Sequence, residues 1–191
     1  GRRGDRTVGA MAERARITVT GVVQGVGFRP YVHAIAARLH VSGFVTNTSD
    51  GVLIEAEGQR LKEFLDRLPA EAPALSRITG LTVESVPVRG ASGFTIRESI
   101  DSPRAFTLVS PDVAICADCL RELLDRSDRR YHYPFINCTN CGPRYSITRS
   151  VPYDRPNTTM AAFIMCPDCE REYREPRDRR FHAQPNACPE C

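Results

Sequence analysis

All eight cysteines of the 191-residue chain lie after position 115, and all fall in Cys-x-x-Cys pairs. Two thiolates on one such turn can occupy neighbouring corners of a tetrahedron, so two turns can supply the four ligands of a zinc ion. Four protein ligands leave no position for a water molecule, so this pattern predicts two structural rather than catalytic zinc ions. The candidate ligands are Cys116, Cys119, Cys138, Cys141, Cys166, Cys169, Cys188 and Cys191.

The cysteine-rich part is a duplicated unit. The segments "CADCLRELLDRSDRRYHYPFINCTNC" and "CPDCEREYREPRDRRFHAQPNACPEC" are offset by 50 positions and share the motifs CxDC, RE, DRR and an aromatic residue followed by His. Pairing of adjacent turns is the simplest closure, but the spacing leaves interleaved pairing across the duplication open. We expect His132 and His182 to pack near the sites rather than bind metal. The pairs Arg129/Arg130 and Arg179/Arg180 are expected on solvated faces.

A glycine-rich stretch, "TGVVQGVGFRPYV" from Thr20 to Val32, could bind an anion. Such a loop between a strand and a helix leaves successive backbone N–H groups pointing inward, and a helix N-terminus favours negative charge. Pro30 disfavours helical geometry at Arg29, so we expect Arg29 at the end of the loop, where its guanidinium can bind the same anion. The alternative is a tight turn with Arg29 as a surface charge.

Periodicity predicts the elements that position this loop. A strand at "RITVT" precedes the loop, and a helix with one apolar stripe follows it. Two strands, "VSGFVTN" and "GVLIEAEG", are joined by the turn "TSDG". A second helix with one apolar stripe comes next. The order ends with a strand that is bulged or bent between Val83 and Val86, followed by a short strand at "GFTIRE". This β-α-β-β-α-β order predicts an α+β, ferredoxin-like sandwich with one antiparallel sheet and two helices on one face. The stripes comprise Phe28, Val32, Ile35, Ala36 and Leu39, and then Leu61, Phe64, Leu65 and Leu68.

The stretch from Gly21 to Gly58 resembles the acylphosphatase signature, in which a VQGVxFR loop precedes a GxVxN segment and a DGxVxxxxxG hairpin. The resemblance implies that Arg29 binds the phosphoryl group and that Asn47 orients the attacking water. Such hydrolysis needs no cofactor, because the leaving group is already a stable carboxylate or carbamate. The protein has only to position a water in line and to neutralise charge on the phosphoryl oxygens. His33 is expected on the outer helix surface rather than as a general base. The implied phosphate cradle comprises Val23, Gln24, Gly25, Val26, Gly27, Phe28 and Arg29.

The segments "DRRYHYPFINCTNCGPRYSI", "VPYDRPNTTM" and "DRRFHAQPNACPEC" extend the resemblance. With the part before them, they are similar to the N-terminal portion of the HypF family, the carbamoyltransferases of nickel–iron hydrogenase maturation. The resemblance implies hydrolysis of carbamoyl phosphate, or another acyl phosphate, to carbamate and phosphate. Further domains of the same chain would then form a carbamoyl adenylate with ATP and serve a hydrogenase-maturation acceptor protein. The alternatives are a free-standing general acylphosphatase, a zinc-ribbon interaction module, or a fragment without activity.

Composition limits location and partners. No apolar run approaches the ~20 residues that span a bilayer, and the first 16 residues lack the apolar core of a secretory signal. Clustered Cys-x-x-Cys pairs favour a reducing compartment, so we expect a cytoplasmic protein without membrane contact. Each four-thiolate zinc site carries a charge of about −2, which lowers the formal +3 to about −1 and makes a nucleic-acid partner unexpected.

We expect five regions along the chain. These are a disordered extension at 1–13, an acylphosphatase-like domain at 14–99, a linker at 100–112, and zinc-finger modules at 113–150 and 151–191. The two halves are expected to separate physically at the linker.

Overall fold

The structure, a computed structural model, describes residues 13–99 and 109–191. The expected disordered extension lies outside the described residues except for Glu13, which is the first residue of a strand. Residues 100–108 of the expected linker also lie outside them. The five boundaries therefore stay predictions. In the part that the structure describes, no helix combines the length and apolar character needed to cross a lipid bilayer.

The first half is an α+β sheet domain, as predicted. Its elements are β1 Glu13–Val22, α1 Phe28–Leu39, β2 Ser42–Thr48, β3 Gly51–Gly58, α2 Leu61–Ala70, β4 Arg77–Ser85 and β5 Phe94–Ile96. The strands are ordered β4-β1-β3-β2-β5, and β1 pairs antiparallel with β3 and β4. The prediction of a purely antiparallel sheet is wrong, because β5 pairs parallel with β2. Strand β4 already occupies the edge beside β1, so β5 takes the other edge.

The irregularity predicted in β4 lies elsewhere. β4 ends at Ser85, so the apolar phase changes near Val86 because the strand is over. The β1–β4 register instead shifts between Thr20 and Gly21. Gly21 has φ 118°, and a Cβ there would stand 2.0 Å from the carbonyl oxygen of Arg77. Only glycine permits this approach, which turns β1 into the loop before α1.

The predicted helical stripes form the core of this half. All five apolar residues of the α1 stripe are buried, as are Leu61, Phe64 and Leu68 of α2, while Leu65 is partly buried against them. They pack with inward residues of β1, β2 and β3 such as Ile17, Val45 and Ile54. Burial of these apolar faces fixes the loop between β1 and α1 on a rigid scaffold.

The second half shows the duplication directly. Helix α3 spans Ala117–Leu124 and α4 spans Pro167–Arg174, each beginning directly after the first cysteine of its copy. The remaining regular structure is short 3-10 turns at Thr139–Cys141, Tyr145–Ile147, Arg155–Asn157 and Thr159–Ala162. Modules of this size with so little regular structure usually depend on bound metal or disulfides for stability.

Candidate active site and metal centres

The glycine loop has the backbone shape expected of an anion cradle. Gly25 and Gly27 adopt φ of 71° and 75°, a left-handed conformation that suits glycine. The Val23 N–H donates to the Gly21 carbonyl (3.1 Å), and the Gly27 carbonyl accepts from the Tyr31 N–H (3.0 Å). Positive φ values within such a loop turn backbone N–H groups toward one side, which is the geometry of an anion-binding nest.

Arg29 lies in a helix instead of in the loop, and its burial rules out the alternative of a surface charge. It is the second residue of α1 rather than the end of the loop, because Gly27 caps the helix and Pro30 is tolerated in the first turn. It is also not a surface charge, since only 7% of it is exposed. Its Nη2 donates to Oδ1 of Asp154 at 2.6 Å. The guanidinium is therefore buried and paired with a carboxylate from the cysteine-rich half.

Asn47 lies near the end of β2 and is fully buried. Its Nδ2 donates to the Tyr153 carbonyl at 3.4 Å, while its Oδ1 has no hydrogen-bond partner among the described residues. Asn47 and Arg29 line one narrow cavity of about 20 Å³, together with Gly25 and Gly27. A space of this size holds a water molecule rather than a whole acyl phosphate. The structure thus brings the two predicted catalytic residues to one cavity.

Gln24 and the other cradle residues have distinct positions. The Gln24 Nε2 donates to the carbonyls of Thr48 and Gly51, each at 2.8 Å, and its Oε1 accepts from the Tyr153 N–H at 2.9 Å. Its side chain therefore joins the β2–β3 turn to the second half. The side chains of Val23, Val26 and Phe28 are buried in the apolar core, which leaves only their backbone groups to serve an anion.

The cysteine-rich half covers this loop. A Cβ on Gly25 would stand 2.4 Å from Cβ of Pro143 and 2.9 Å from Cδ1 of Tyr153. The cavity is completed from the second half by Asn137, Cys138, Thr139, Gly142, Tyr153, His182, Ala183, Gln184 and Pro185. Asp154 and Asn137 are not among the site residues predicted from the sequence. The only signal near Asp154 was the segment "VPYDRPNTTM", which contributed to the family resemblance.

The eight cysteines form two separate four-cysteine clusters, each within one copy. Adjacent rather than interleaved pairing is therefore the arrangement in the structure. The Sγ atoms of Cys116 and Cys138 are 3.6 Å apart, and those of Cys166 and Cys188 are 3.7 Å apart. Thiolates at ~2.3 Å from a tetrahedral zinc would be about 3.8 Å apart, whereas a disulfide needs about 2.05 Å. The cysteines are free, so their arrangement fits a structural zinc-finger site.

The expectation that the arginine pairs are solvated is wrong for Arg130 and Arg180, whereas Arg129 is exposed as expected. Arg130 and Arg180 are 2% and 4% exposed. Arg129 and Arg130, of the first copy, each direct Nη2 to Sγ of Cys169 in the second copy at 3.3 Å. Arg179 directs Nη1 to Sγ of Cys119 at 3.0 Å.

Two carboxylates complete this reciprocal arrangement. Glu172, on α4, accepts from Arg129 (2.7 Å) and Arg130 (2.6 Å), and Glu122, on α3, pairs with both arginines of the other copy. The arginines hold the pKa of Glu172 down to about 2 against the opposing effect of burial. Each cluster thus has arginines of the other copy beside its first Cys-x-x-Cys turn, where they offset part of the negative charge of the thiolates.

The histidines pack rather than bind metal in the described clusters. His33 is not on the outer helix surface as expected, because its ring lies against those of Phe94 (6.3 Å) and Phe181 (5.4 Å). Burial lowers its pKa. His132 stacks on Tyr131 at 3.8 Å between ring centroids. His182 packs against Tyr173 and Phe181, and burial lowers its pKa to about 4.

Comparison with known proteins agrees with this division. The family model described as Acylphosphatase matches residues 15–96, and the model described as HypF finger matches residues 115–148 and 165–191. The acylphosphatase of Thermotoga maritima is 41% identical over 85 residues, which are 43% of this chain and 93% of that protein.

Relatives of much greater length match nearly the whole chain. The carbamoyltransferase HypF of Synechocystis sp. is 51% identical over 155 residues, which are 80% of this chain and 20% of that protein. A solved full-length HypF in a phosphate- and nucleotide-bound form is 49% identical with a TM-score of 0.90, covering 95% of this chain and 24% of its own. The chain therefore spans about a fifth to a quarter of the length of these relatives. It carries an acylphosphatase domain followed by HypF fingers and belongs to the HypF carbamoyltransferase family, whose N-terminal region it matches.

Proposed function

We propose that this chain hydrolyses an acyl phosphate, and that carbamoyl phosphate is its substrate. The water oxygen bonds to phosphorus in line with the bond that breaks, and the carbamate leaves with the electron pair of that bond. The proton of the water passes to solvent or to the phosphate formed. Because the leaving group is stable as an anion, positioning the water and neutralising the phosphoryl oxygens are the main tasks of the protein.

Arg29 and the loop would neutralise the phosphoryl group. Asp154 accepts one N–H of the guanidinium, and a guanidinium carries five, so donors remain for a phosphoryl oxygen. The backbone from Val23 to Phe28 would supply further N–H donors through its left-handed glycines. Both sets of donors stand in a buried site, where such interactions are stronger than in water.

The main support for the proposal is the buried side chain of Asn47. A fully buried amide oxygen without a partner among the described residues is costly unless the site is completed by a ligand or water. This oxygen lies at the cavity that Arg29 also lines, and its amide is held in place by the Tyr153 carbonyl. It is therefore placed to accept a hydrogen bond from an attacking water and to orient it toward the phosphorus.

Substrate would approach from the far side of Arg29. An open groove of about 640 Å³ runs there and shares Arg29, His182 and Gln184 with the narrow cavity. Arg97 and Arg174 also line this groove and would attract an anion. Because the closed cavity is smaller than the substrate, side chains around Arg29 must move when the phosphoryl group enters.

The cysteine clusters would act as a scaffold that holds the lid of this site. We propose that each holds one structural zinc ion, since the cysteine geometry fits it. The carbamate would pass to further domains of a longer chain, which would transfer a carbamoyl group to an acceptor protein of hydrogenase maturation. Eight free, clustered cysteines support a cytoplasmic location.

The test is phosphate release by the 191-residue chain from carbamoyl phosphate, acetyl phosphate and benzoyl phosphate. The proposal expects turnover of carbamoyl phosphate that continues without added metal. Equal turnover of all three substrates would favour a general acylphosphatase. Absence of release from any of them, with two bound zinc ions and an intact fold, would favour a binding module without catalysis.

A further inference from the structure

Asn137 is a buried amide that the proposed hydrolysis does not use. It is 3% exposed, precedes Cys138 of the first cluster, and lines the narrow cavity together with Arg29 and Asn47. Neither its Nδ2 nor its Oδ1 has a hydrogen-bond partner among the described residues. A side chain with both a donor and an acceptor unmet in a buried site is rare and calls for a ligand or a functional role.

The other buried amides in the described part of the chain make hydrogen bonds. Gln184 donates to the His182 carbonyl at 2.8 Å and accepts from the Arg155 N–H at 2.7 Å. Asn186 donates to the Cys169 carbonyl at 2.8 Å and accepts from Arg130 at 3.0 Å. Gln24 and Asn47 likewise bond to backbone groups. Asn137 therefore stands apart in having both of its polar atoms available.

The duplication shows that the zinc-finger unit itself does not require this amide. The residue 50 positions later, also directly before a cluster cysteine, is Ala187. Ala187 is buried as well, at 4% exposed, but the second cluster forms beside it. The two copies thus differ at a position where Asn137 of the first copy lines the cavity and Ala187 of the second does not. Because the module does not need this asparagine, its place at the candidate active-site cavity indicates a role in contacting the substrate.

We propose that Asn137 recognises the carbamoyl end of the substrate and makes the site selective for carbamoyl phosphate. This inference rests on the proposed function. The Oδ1 of Asn137 accepts a hydrogen bond from the carbamoyl NH₂ group, and its Nδ2 donates one to the carbamoyl carbonyl oxygen. This amide-to-amide pair satisfies all four groups. An acetyl phosphate has a methyl group in place of the NH₂ and leaves Oδ1 unpaired, which a buried site penalises.

Cluster ligation would make this recognition rigid. Cys138 follows Asn137 directly, and Thr139 bonds through its N–H to the Arg179 carbonyl at 3.0 Å. A metal ligand and a bond to the other copy therefore fix the backbone on one side of the amide. Arg29 would hold the phosphoryl end, so the two ends of the substrate are bound by the two halves of the chain.

The experiment compares two non-hydrolysable ligands that differ only in NH₂ versus CH₃. Phosphonoacetamide replaces the bridging oxygen of carbamoyl phosphate with CH₂, and acetonylphosphonate does the same for acetyl phosphate. Their dissociation constants are measured by calorimetry on the 191-residue chain with its zinc. The variants are Asn137→Ala, the residue of the second copy, and Asn137→Leu, which keeps the number and branching of the side-chain heavy atoms but removes the polar groups. Asn140→Ala is the matched control, since Asn140 is exposed on the same turn and does not line the cavity.

We expect the wild-type chain and Asn140→Ala to bind phosphonoacetamide at least about tenfold more tightly than acetonylphosphonate. In both Asn137 variants this preference should fall to about twofold or less, because neither side chain can pair with the NH₂ group. An unchanged preference, or an equal loss of both ligands, would overturn the role of Asn137. Because binding is measured without turnover, hydrolysis can fail while the preference stands. Hydrolysis without any preference would overturn this inference alone, and absence of binding would overturn both.

Discussion

Arg29 and Asp154 are 125 residues apart in sequence, yet Nη2 of the guanidinium and Oδ1 of the carboxylate are 2.6 Å apart. The Asp154 side chain is 16% exposed and also accepts from Oγ of Ser99. The proposed phosphate-binding arginine therefore already has an anionic partner, which the second half supplies. A phosphoryl group must share the guanidinium with this carboxylate or displace it.

Neutralising Asp154 should strengthen anion binding. In Asp154→Asn the guanidinium keeps a neutral acceptor but loses its competitor, so the dissociation constant of inorganic phosphate should fall about tenfold. Isothermal titration calorimetry measures the change. Ser99→Ala is the control, because it removes the other contact to Asp154 without altering charge. Weaker phosphate binding by Asp154→Asn would show that the carboxylate orients Arg29 rather than competing for it.

The two predicted catalytic residues should differ in what they impair. Arg29→Ala should weaken phosphate binding and turnover together, and Asn47→Ala should mainly lower turnover. Each turnover rate should fall by about a hundredfold or more, as for a preorganised group that acts in the transition state. Because Arg29→Ala leaves Asp154 without its partner, the double variant Arg29→Ala with Asp154→Asn controls for folding. Near-wild-type kcat/KM in both single variants would contradict the assigned roles.

Metal analysis should find two zinc ions per chain, and cysteine variants should report the pairing. Cys119→Ser with Cys138→Ser disrupts one cluster and should keep one zinc, whereas Cys138→Ser with Cys169→Ser disrupts both and should keep none. Burial raises the pKa of Cys169 to about 12, so this thiol is protonated without metal and zinc binding must release its proton. Mass spectrometry of the metal content checks both counts. The opposite result would mean that each site draws ligands from both copies.

Arg130 should stabilise the cluster of the other copy. Its guanidinium contacts Cys169 and Glu172, so Arg130→Ala leaves the Glu172 carboxylate with Arg129 as its cationic partner. The loss should cost about 2 kcal/mol of stability, less than for a fully buried pair that loses its partner, because Glu172 keeps Arg129 and retains some exposure. In the Cys138→Ser background, where only the second cluster remains intact, chelator should remove zinc about tenfold faster from Arg130→Ala. Arg126→Ala, at an exposed arginine of the same segment, should match the background. Equal rates for the two variants would show that the contacts between copies do not stabilise the cluster.

His182 should make the fold sensitive to acid. Burial lowers its pKa to about 4 from the ordinary 6.5, so the folded state binds fewer protons than the unfolded state between these values. Stability is full above pH 6.5 and falls as pH drops through this window, by about 2 kcal/mol at pH 5. Urea unfolding at pH 7 and pH 5 measures the loss.

The variant His182→Asn should abolish this pH-dependent part, since asparagine does not titrate and tolerates the φ of 53° at this position. His132→Asn is the matched control from the first copy. His132 also has a positive φ, 57°, but its side chain is exposed. The unfolding free energy of His132→Asn should therefore depend on pH as it does in the wild type. If the unfolding free energy of His182→Asn fell between pH 7 and pH 5 as much as that of the wild type, the acid sensitivity would belong to other groups.

Local patterns in the sequence determined the elements and the cysteines of the two clusters. The stripe from Phe28 to Leu39 predicted α1, because one face of a helix repeats every three to four residues. The Cys-x-x-Cys spacing predicted the ligands for the same reason, since both thiolates of a turn are set by a few neighbouring dihedral angles. The glycines of the loop likewise marked a backbone that adopts positive φ.

Only the tertiary structure decided how these parts meet. Nothing in the sequence near Arg130 distinguishes it from a solvated arginine, and it is buried because the second copy packs over it. Asp154 and Asn137 reach the glycine loop from more than 100 positions away, where no periodicity relates them to it. Burial and ion pairing depend on which surfaces the folded chain brings together. Local sequence carries the geometry of each element, whereas the partners of a buried charge follow from packing across the whole chain.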